Sequence, residues 1–202
     1  MVDADGNEYA TVRIGEQVWM AENLKVTSFN DGTPIPEWSF GETWYHPDSS
    51  QAWFQWGFTG DLNGVYDEPL SHDFYGAMYN EIVLASGRLA PEGWRIPTAV
   101  DFAQLNDALA ADGLDTRALR VDFGWHPAEQ NGTDDYGFSA LPNGYVGIGG
   151  SATGAPVIAT WATSESGDEP GTRRVANIHI GPDIEFADNS AYMGAGVRLI
   201  RE

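Results

Sequence analysis

Pro91-Glu92-Gly93-Trp94-Arg95-Ile96-Pro97-Thr98-Ala99-Val100-Asp101-Phe102 is the stretch whose reading decides the fold. Pro97 locks its own φ and keeps Ile96 extended, so no helix runs in from the left. The Thr98 hydroxyl is suited to accept from a free amide of a first helical turn. Asp101, three residues on, approximates a capping box and complements the positive helix end. Phe102, Leu105 and Leu109 then form one apolar face, flanked by Val100 and Ala103. Gly113 is a C-terminal stop. The pattern predicts a helix over 98–112, with Trp94 and Ile96 packed beneath it as core.

Outward from this stretch, charge is the strongest global fact. The chain of 202 residues carries 30 Asp and Glu against 10 Lys and Arg, a formal net charge of -20. Lys25 is the single lysine. Such a surface repels phosphate backbones and anionic lipid, which argues against nucleic acid and membrane partners. The excess acid suits adaptation to high salt or binding of divalent cations. Cysteine is absent, so disulfides, thiolate metal sites and cysteine nucleophiles are excluded together. No apolar run approaches the length of a membrane span. Met1-Val2-Asp3 lacks the basic start and apolar stretch of a signal peptide.

Before the helix, residues 3–25 read as a β-ribbon. Tyr9 to Ile14 runs into a turn at Gly15-Glu16, and Gln17 to Met20 returns. Glu22 to Val26 reads as a further short strand. Asp3, Asp5 and Asn7 have the spacing that opens a calcium loop, but no distal Glu follows, which favours a tight turn. Residues 30–73 are irregular and crowded with rings: Trp38, Phe40, Trp44, Tyr45, Trp53, Phe54, Trp56 and Phe58. Residues 74–85 read as a helix or a strand-to-helix transition that Gly87 ends. Beyond the helix, 114–119 suits a short extra turn, 138–145 a strand into a turn, and 147–154 a flexible Gly/Ser loop. Strands are expected at Thr160–Thr163, Val175–Ile180, Asp183–Phe186 and Gly196–Ile200. No internal repeat or linker divides the chain, so 1–202 is expected to be one α+β domain with short antiparallel strands, one or two helices and long loops.

Seven blocks resemble the Fibrobacter succinogenes major paralogous domain family. They are Asp3–Tyr9 (DADGNEY), Thr11–Lys25 (TVRIGEQVWMAENLK), Tyr75–Asn80 (YGAMYN), Pro91–Thr98 (PEGWRIPT), Asn131–Tyr145 (NGTDDYGFSALPNGY), Trp161–Glu165 (WATSE) and Gly196–Glu202 (GVRLIRE). Only the segment 36–70 matches poorly. The resemblance implies a C-type-lectin-like fold and a secreted or cell-surface bacterial protein. Family members often carry Cys where this chain has Ala90 and Leu199. The resemblance thus implies that an apolar contact replaces a crosslink, which elsewhere contributes about 2–4 kcal/mol.

The resemblance does not name a ligand, and the residues support several readings. Stacked rings can bind the apolar face of a sugar, which makes Trp44, Tyr45, Trp53 and Trp56 candidate ligand contacts; a satellite core beneath a long loop is the competing reading. Asn131, Asp134 and Asp135, and separately Asp61, Asn63 and Asp67, are candidate calcium ligands, with turn stabilisation as the alternative. The Glu-Pro-Asn calcium–sugar motif of animal C-type lectins is absent, and so are the active-site cysteines of the related formylglycine-generating enzymes. His46, His72, His126 and His179 are scattered without zinc spacing. The expectation is a non-catalytic extracellular binding or adhesion domain for a glycan or cell-surface protein, with calcium as a possible cofactor. The alternative is an assembly module of a surface layer or filament; a glycoside hydrolase is a weaker reading, because any carboxylate pair chosen from so many acids is arbitrary.

Overall fold

In the computed structural model all of residues 1–202 are described except Pro47, Ser49, Asp61, Asn63 and Glu68. Most of the regular structure is β-sheet, with two α-helices: a mixed α+β architecture. No helix among the described residues is long and apolar enough to cross a membrane.

The decisive stretch folds largely as its residues dictate. A two-residue strand, β5 (Trp94–Arg95), leads through Pro97 into the helix α2 (Ala99–Ala111). Thr98 Oγ1 accepts from Asp101 N at 3.2 Å and Thr98 N donates to Asp101 Oδ2 at 2.6 Å, a closed capping box. Gly113, at φ +71°, ends the helix, and Leu114 N turns back to Leu109 O at 2.9 Å. Phe102, Leu105 and Leu109 are buried, whereas Val100 is 60% exposed and lies off the apolar face.

Trp94 corrects the reading of its own stretch. It is only half-buried, and it packs with Ala90 and Ile96 against a core cluster that contains none of the buried residues of α2. The rings that do lie against α2 are Trp19 and Trp161, both fully buried. The helix entry is extended along a sheet edge, so its side chains are carried to a different cluster from the helix they precede. The positions related to family cysteines, Ala90 and Leu199, belong to this same second cluster, Ala90 at its margin and Leu199 within it.

The N-terminal ribbon forms as expected. β1 (Thr11–Ile14) and β2 (Gln17–Met20) pair antiparallel across Gly15-Glu16, with Ile14 opposite Gln17. Asp3 Oδ1 accepts from the amides of Asp5 and Asn7, both at 3.0 Å, and Asp3 Oδ2 from the Tyr9 hydroxyl at 2.6 Å, so the calcium-like spacing is spent on a turn. Residues 22–26 form no strand. They bridge instead: Leu24 N donates to Val197 O and Leu24 O accepts from Ala77 N.

The chain then contributes β3 (Phe54–Trp56), β4 (Ala77–Tyr79) and the short helix α1 (Glu81–Leu84). The aromatic segment therefore contains a strand that periodicity had not shown. Residues 74–85 are the strand-to-helix transition, with Asn80 as N-cap. After α2, single 3-10 turns occupy 116–118 and 128–130. A small hairpin of β6 (Tyr145–Val146) and β7 (Ala152–Thr153) replaces the expected flexible loop, and residues 138–144 supply isolated bridges instead of a strand. β8 (Ala159–Ser166), β9 (Thr172–Ile178) and β10 (Glu185–Ser190) form an antiparallel meander.

The last stretch departs most from its pattern. It is two strands in two sheets: β11 (Ala195–Gly196) and β12 (Ile200–Arg201). The larger sheet runs β10-β9-β8-β11-β4-β3 and the smaller β1-β2-β12-β5. Residues 197–199 cross between them. Val197 and Leu199 fall into the second cluster, while the Arg198 side chain reaches the rings of Phe138 and Trp161 in the first.

Candidate binding cleft

Four rings form the centre of the first cluster. Trp19 meets Phe102 and Phe138 at centroid separations of 5.0 and 5.8 Å, and Trp161 meets Phe102 at 6.1 Å and Phe138 at 5.8 Å. Arg198 lies against this group, its Cζ 4.4 Å from the Phe138 centroid. The guanidinium is fully buried and forms no ion pair with a carboxylate among the described residues. Its partners are oxygens: Asn23 Oδ1 at 2.9 Å from Nη2 and 3.2 Å from Nε, Ser139 O at 3.3 Å, and Phe138 O. Burial pushes Arg198 down to about 9, with the charges of Asp134 and Glu22 acting in the other direction. It remains a cation at neutral pH.

Asn23 is the second half of this joint. Its Oδ1 also accepts from Trp161 Nε1 at 2.8 Å, and its Nδ2 donates to Tyr75 O at 3.0 Å. One side chain thus ties together the residues after β2, the residues before β4, the strand β8 and the β11–β12 crossover. Gly76, at φ +79°, makes the close approach possible, because a Cβ there would meet Asn23 Cβ at 2.8 Å.

Above this joint opens a cleft of about 450 Å³. Glu22, Asn23 and Lys25 line one side, Ser71, Asp73 and Phe74 another. Asp122, Phe123, Asp134 and Ser139 complete it. Lys25 Nζ pairs with Asp73 at 3.4 Å. The Ser71 hydroxyl, ahead of other effects, holds the Asp73 carboxyl below its ordinary range. Asp134, at φ +49°, accepts from Ser139 N at 2.7 Å and Ser139 Oγ at 2.9 Å, which fixes its carboxylate. Phe123 is 46% exposed. The cleft therefore offers fixed carboxylate acceptors, one neutralised ammonium and an accessible ring.

Three of the candidate calcium residues, Asn131, Asp134 and Asp135, carry local hydrogen bonds. Asn131 Oδ1 accepts from Trp125 N at 2.9 Å, and Asp135 Oδ2 accepts from Thr133 Oγ1 at 2.6 Å. These are turn-stabilising bonds, and of the three residues only Asp134 reaches the cleft. Asp67 is exposed, and Asp61 and Asn63 lie outside the described residues. Among the described residues no group of three or more His, Asp or Glu side chains is arranged to hold a metal.

The aromatic candidates do not share one surface. Trp44 is 2% exposed and packs with Met78 and Val146. Trp53 and Tyr45 pack around that small cluster. Trp53 Nε1 donates to Thr43 O at 3.1 Å, and Tyr45 meets Tyr192 edge-on at 5.2 Å. Trp56 packs on Phe54 and His72 instead. Asn80, fully buried, anchors the segment: its Nδ2 donates to Trp44 O and Gln51 O at 3.0 and 2.9 Å. Asn23, Asn80 and Arg198 were not singled out from the sequence. An arginine between Val197 and Leu199 reads as an outward strand residue, and nothing local marks it as buried.

The fold and cleft define an α+β domain with a polar, acid-rimmed recess and a rigid floor. The chain belongs to the Fibrobacter succinogenes major domain family, whose sequence profile matches residues 12–201. No curated protein and no solved structure matches the chain significantly.

Proposed function

We propose that this is a non-catalytic extracellular binding or adhesion domain of C-type-lectin-like fold, which takes an uncharged glycan in the cleft above Asn23 and Arg198. The fold reading is supported by the pairing of β12 with β2, which puts the first and last strands in one sheet. The single observation that carries the binding reading is the pre-formed recess itself. Its floor is fixed by hydrogen bonds that Asn23 and Arg198 make on all sides, and its rim combines carboxylates with the open Phe123 ring. Carboxylates accept from vicinal sugar hydroxyls, and a phenyl ring covers the C–H face of a pyranose. The excess of acid over base disfavours uronate or sulfated sugars.

The test is a glycan array followed by calorimetry on the best neutral hit. Phe123→Ser and Asp122→Asn, both at exposed positions, are expected to weaken binding by about tenfold or more, equivalent to about 1.4 kcal/mol, with an unchanged melting temperature. An array without hits, or binding that both variants leave intact, refutes the cleft.

A further inference from the structure

A second, larger recess lies elsewhere in the molecule, built around the half-buried Trp94. This groove, of about 980 Å³, runs past Leu84 and Leu89, the entry residues Pro91 to Ile96, and Glu202. Trp94 packs against the second core cluster and also lines the groove. Among the described residues its indole N–H has no hydrogen-bond partner. That contrasts with Trp19, Trp125 and Trp161, whose N–H groups are each bonded at 2.8–3.2 Å. A large ring with an unused donor in a recess is a common element of a recognition surface.

Charge decides what the groove suits. Among the described residues Arg95 is the only lining cation, and it bonds to Asp101 at 2.6 and 2.8 Å. Asp3 is engaged by its own turn. Glu92 and Glu202 are exposed at the groove and make no ion pair among the described residues. Glu92, and Glu202 with only the more distant Arg95 charge near it, stand beside an apolar floor and an aromatic face and match a cation carried on an aliphatic stem. The ring attracts the cation, the Leu and Pro side chains cover the stem, and the carboxylates receive the charge. A neutral sugar uses the ring but leaves both carboxylates without a cation.

We propose that the Trp94 groove is a docking site for an extended Lys- or Arg-bearing peptide segment of a partner protein. The site is separate from the cleft, whose lining residues it does not share. It gives a binding domain a second contact, chosen by charge.

The probe is a fluorescein-labelled peptide of alternating Lys and Leu, compared with its Glu-for-Lys counterpart. Anisotropy titrations on the whole chain would run from about 0.15 M to about 0.5 M NaCl, a range that separates groove binding from general attraction to an acidic surface. The wild type is expected to bind the Lys peptide at both salt concentrations and not the Glu peptide. Trp94→Ala and the double variant Glu92→Gln/Glu202→Gln should each weaken binding by about tenfold or more. Asp122→Asn, in the other recess, should leave it unchanged. If Trp94→Ala fails to fold, Trp94→Phe and the double Gln variant carry the test, because neither removes the ring's bulk from the cluster. Equal binding by wild type and the groove variants overturns the proposal. So does an equal loss in Asp122→Asn, absence of binding at the higher salt, or a neutral oligosaccharide that binds at Trp94 where the peptide does not. The cleft reading has its own readout, Phe123→Ser on a glycan, so loss of peptide binding in the groove variants leaves it standing.

Discussion

Two ring-rich regions of this molecule are built from the same residue types and held in different ways. Beneath α2, Trp19, Phe102, Phe138 and Trp161 meet in one group, and each Trp N–H there has an oxygen partner. In the segment 38–58 the rings touch in separate pairs, and the buried Trp44 Nε1 has no partner among the described residues. A buried N–H left unpaired costs roughly 1–3 kcal/mol, so similar ring area yields unequal net stability. The difference lies in where the polar edge of each ring ends, and Gln17 and Asn23 supply the acceptors in the first region.

Removing the joint should have the largest effect. Arg198→Ala strips the partner from Phe138 O and Ser139 O, empties volume between two rings and is expected to cost about 3–5 kcal/mol in urea unfolding. A midpoint within error of wild type would break the contrast between the regions. The matched pair Trp161→Phe and Trp44→Phe sharpens it. Both remove an indole ring edge, but only the first removes a bond, from Nε1 to Asn23. Trp161→Phe should cost about 2 kcal/mol, whereas Trp44→Phe should cost less than about 1 kcal/mol, since it deletes an orphan donor along with packing. Equal costs would mean that ring volume alone governs both sites.

The sequence disclosed what is local and periodic. The capped helix, the two-residue hairpin turn and the three-strand meander follow from Thr98, Asp101, Gly15 and alternation in 159–190, because each is settled by neighbours a few residues away. Its errors fall where distance decides. Trp94 sits next to the helix in sequence but packs on the other cluster, since an extended entry carries its side chain away from the helix that follows. Residues 196–200 alternate like one strand, yet the chain changes sheets there around Arg198. The cleft was legible only through Asp134. Asn23 and Arg198 are separated by more than 170 residues and meet through the fold. Asp3 makes the tight turn its spacing favours, and Asn131 and Asp135 each carry a bond from a residue nearby in the chain.

Acid should act on the first region in a defined window. Burial pushes the Asp101 carboxyl up, but the bonds from Arg95 and Thr98 outweigh it and hold the group at about 2. Its folded value lies below the ordinary carboxylate value, so its contribution is complete above about pH 4 and is lost as the pH falls toward about 2. Asp101→Asn removes the charge and the bidentate contact with Arg95, and should cost about 1–2 kcal/mol near neutral pH. Unfolding curves from neutral pH to about pH 2 should show the gap between variant and wild type narrowing in that window. A gap constant with pH would show that the helix cap works without ionisation.

The smallest expected effect belongs to the second region. Phe40 is 96% exposed, and among the described residues it is the most exposed large apolar side chain and belongs to no ring pair. Phe40→Ser should change stability by less than about 0.5 kcal/mol, because the folded state buries almost nothing there. Its value is diagnostic. If rings of 38–58 serve the fold, this one should be removable without effect in both unfolding and ligand-binding measurements. If Phe40→Ser leaves the melting temperature unchanged yet abolishes glycan binding, the ligand meets the aromatic segment after all, and the cleft above Asn23 is the wrong recess.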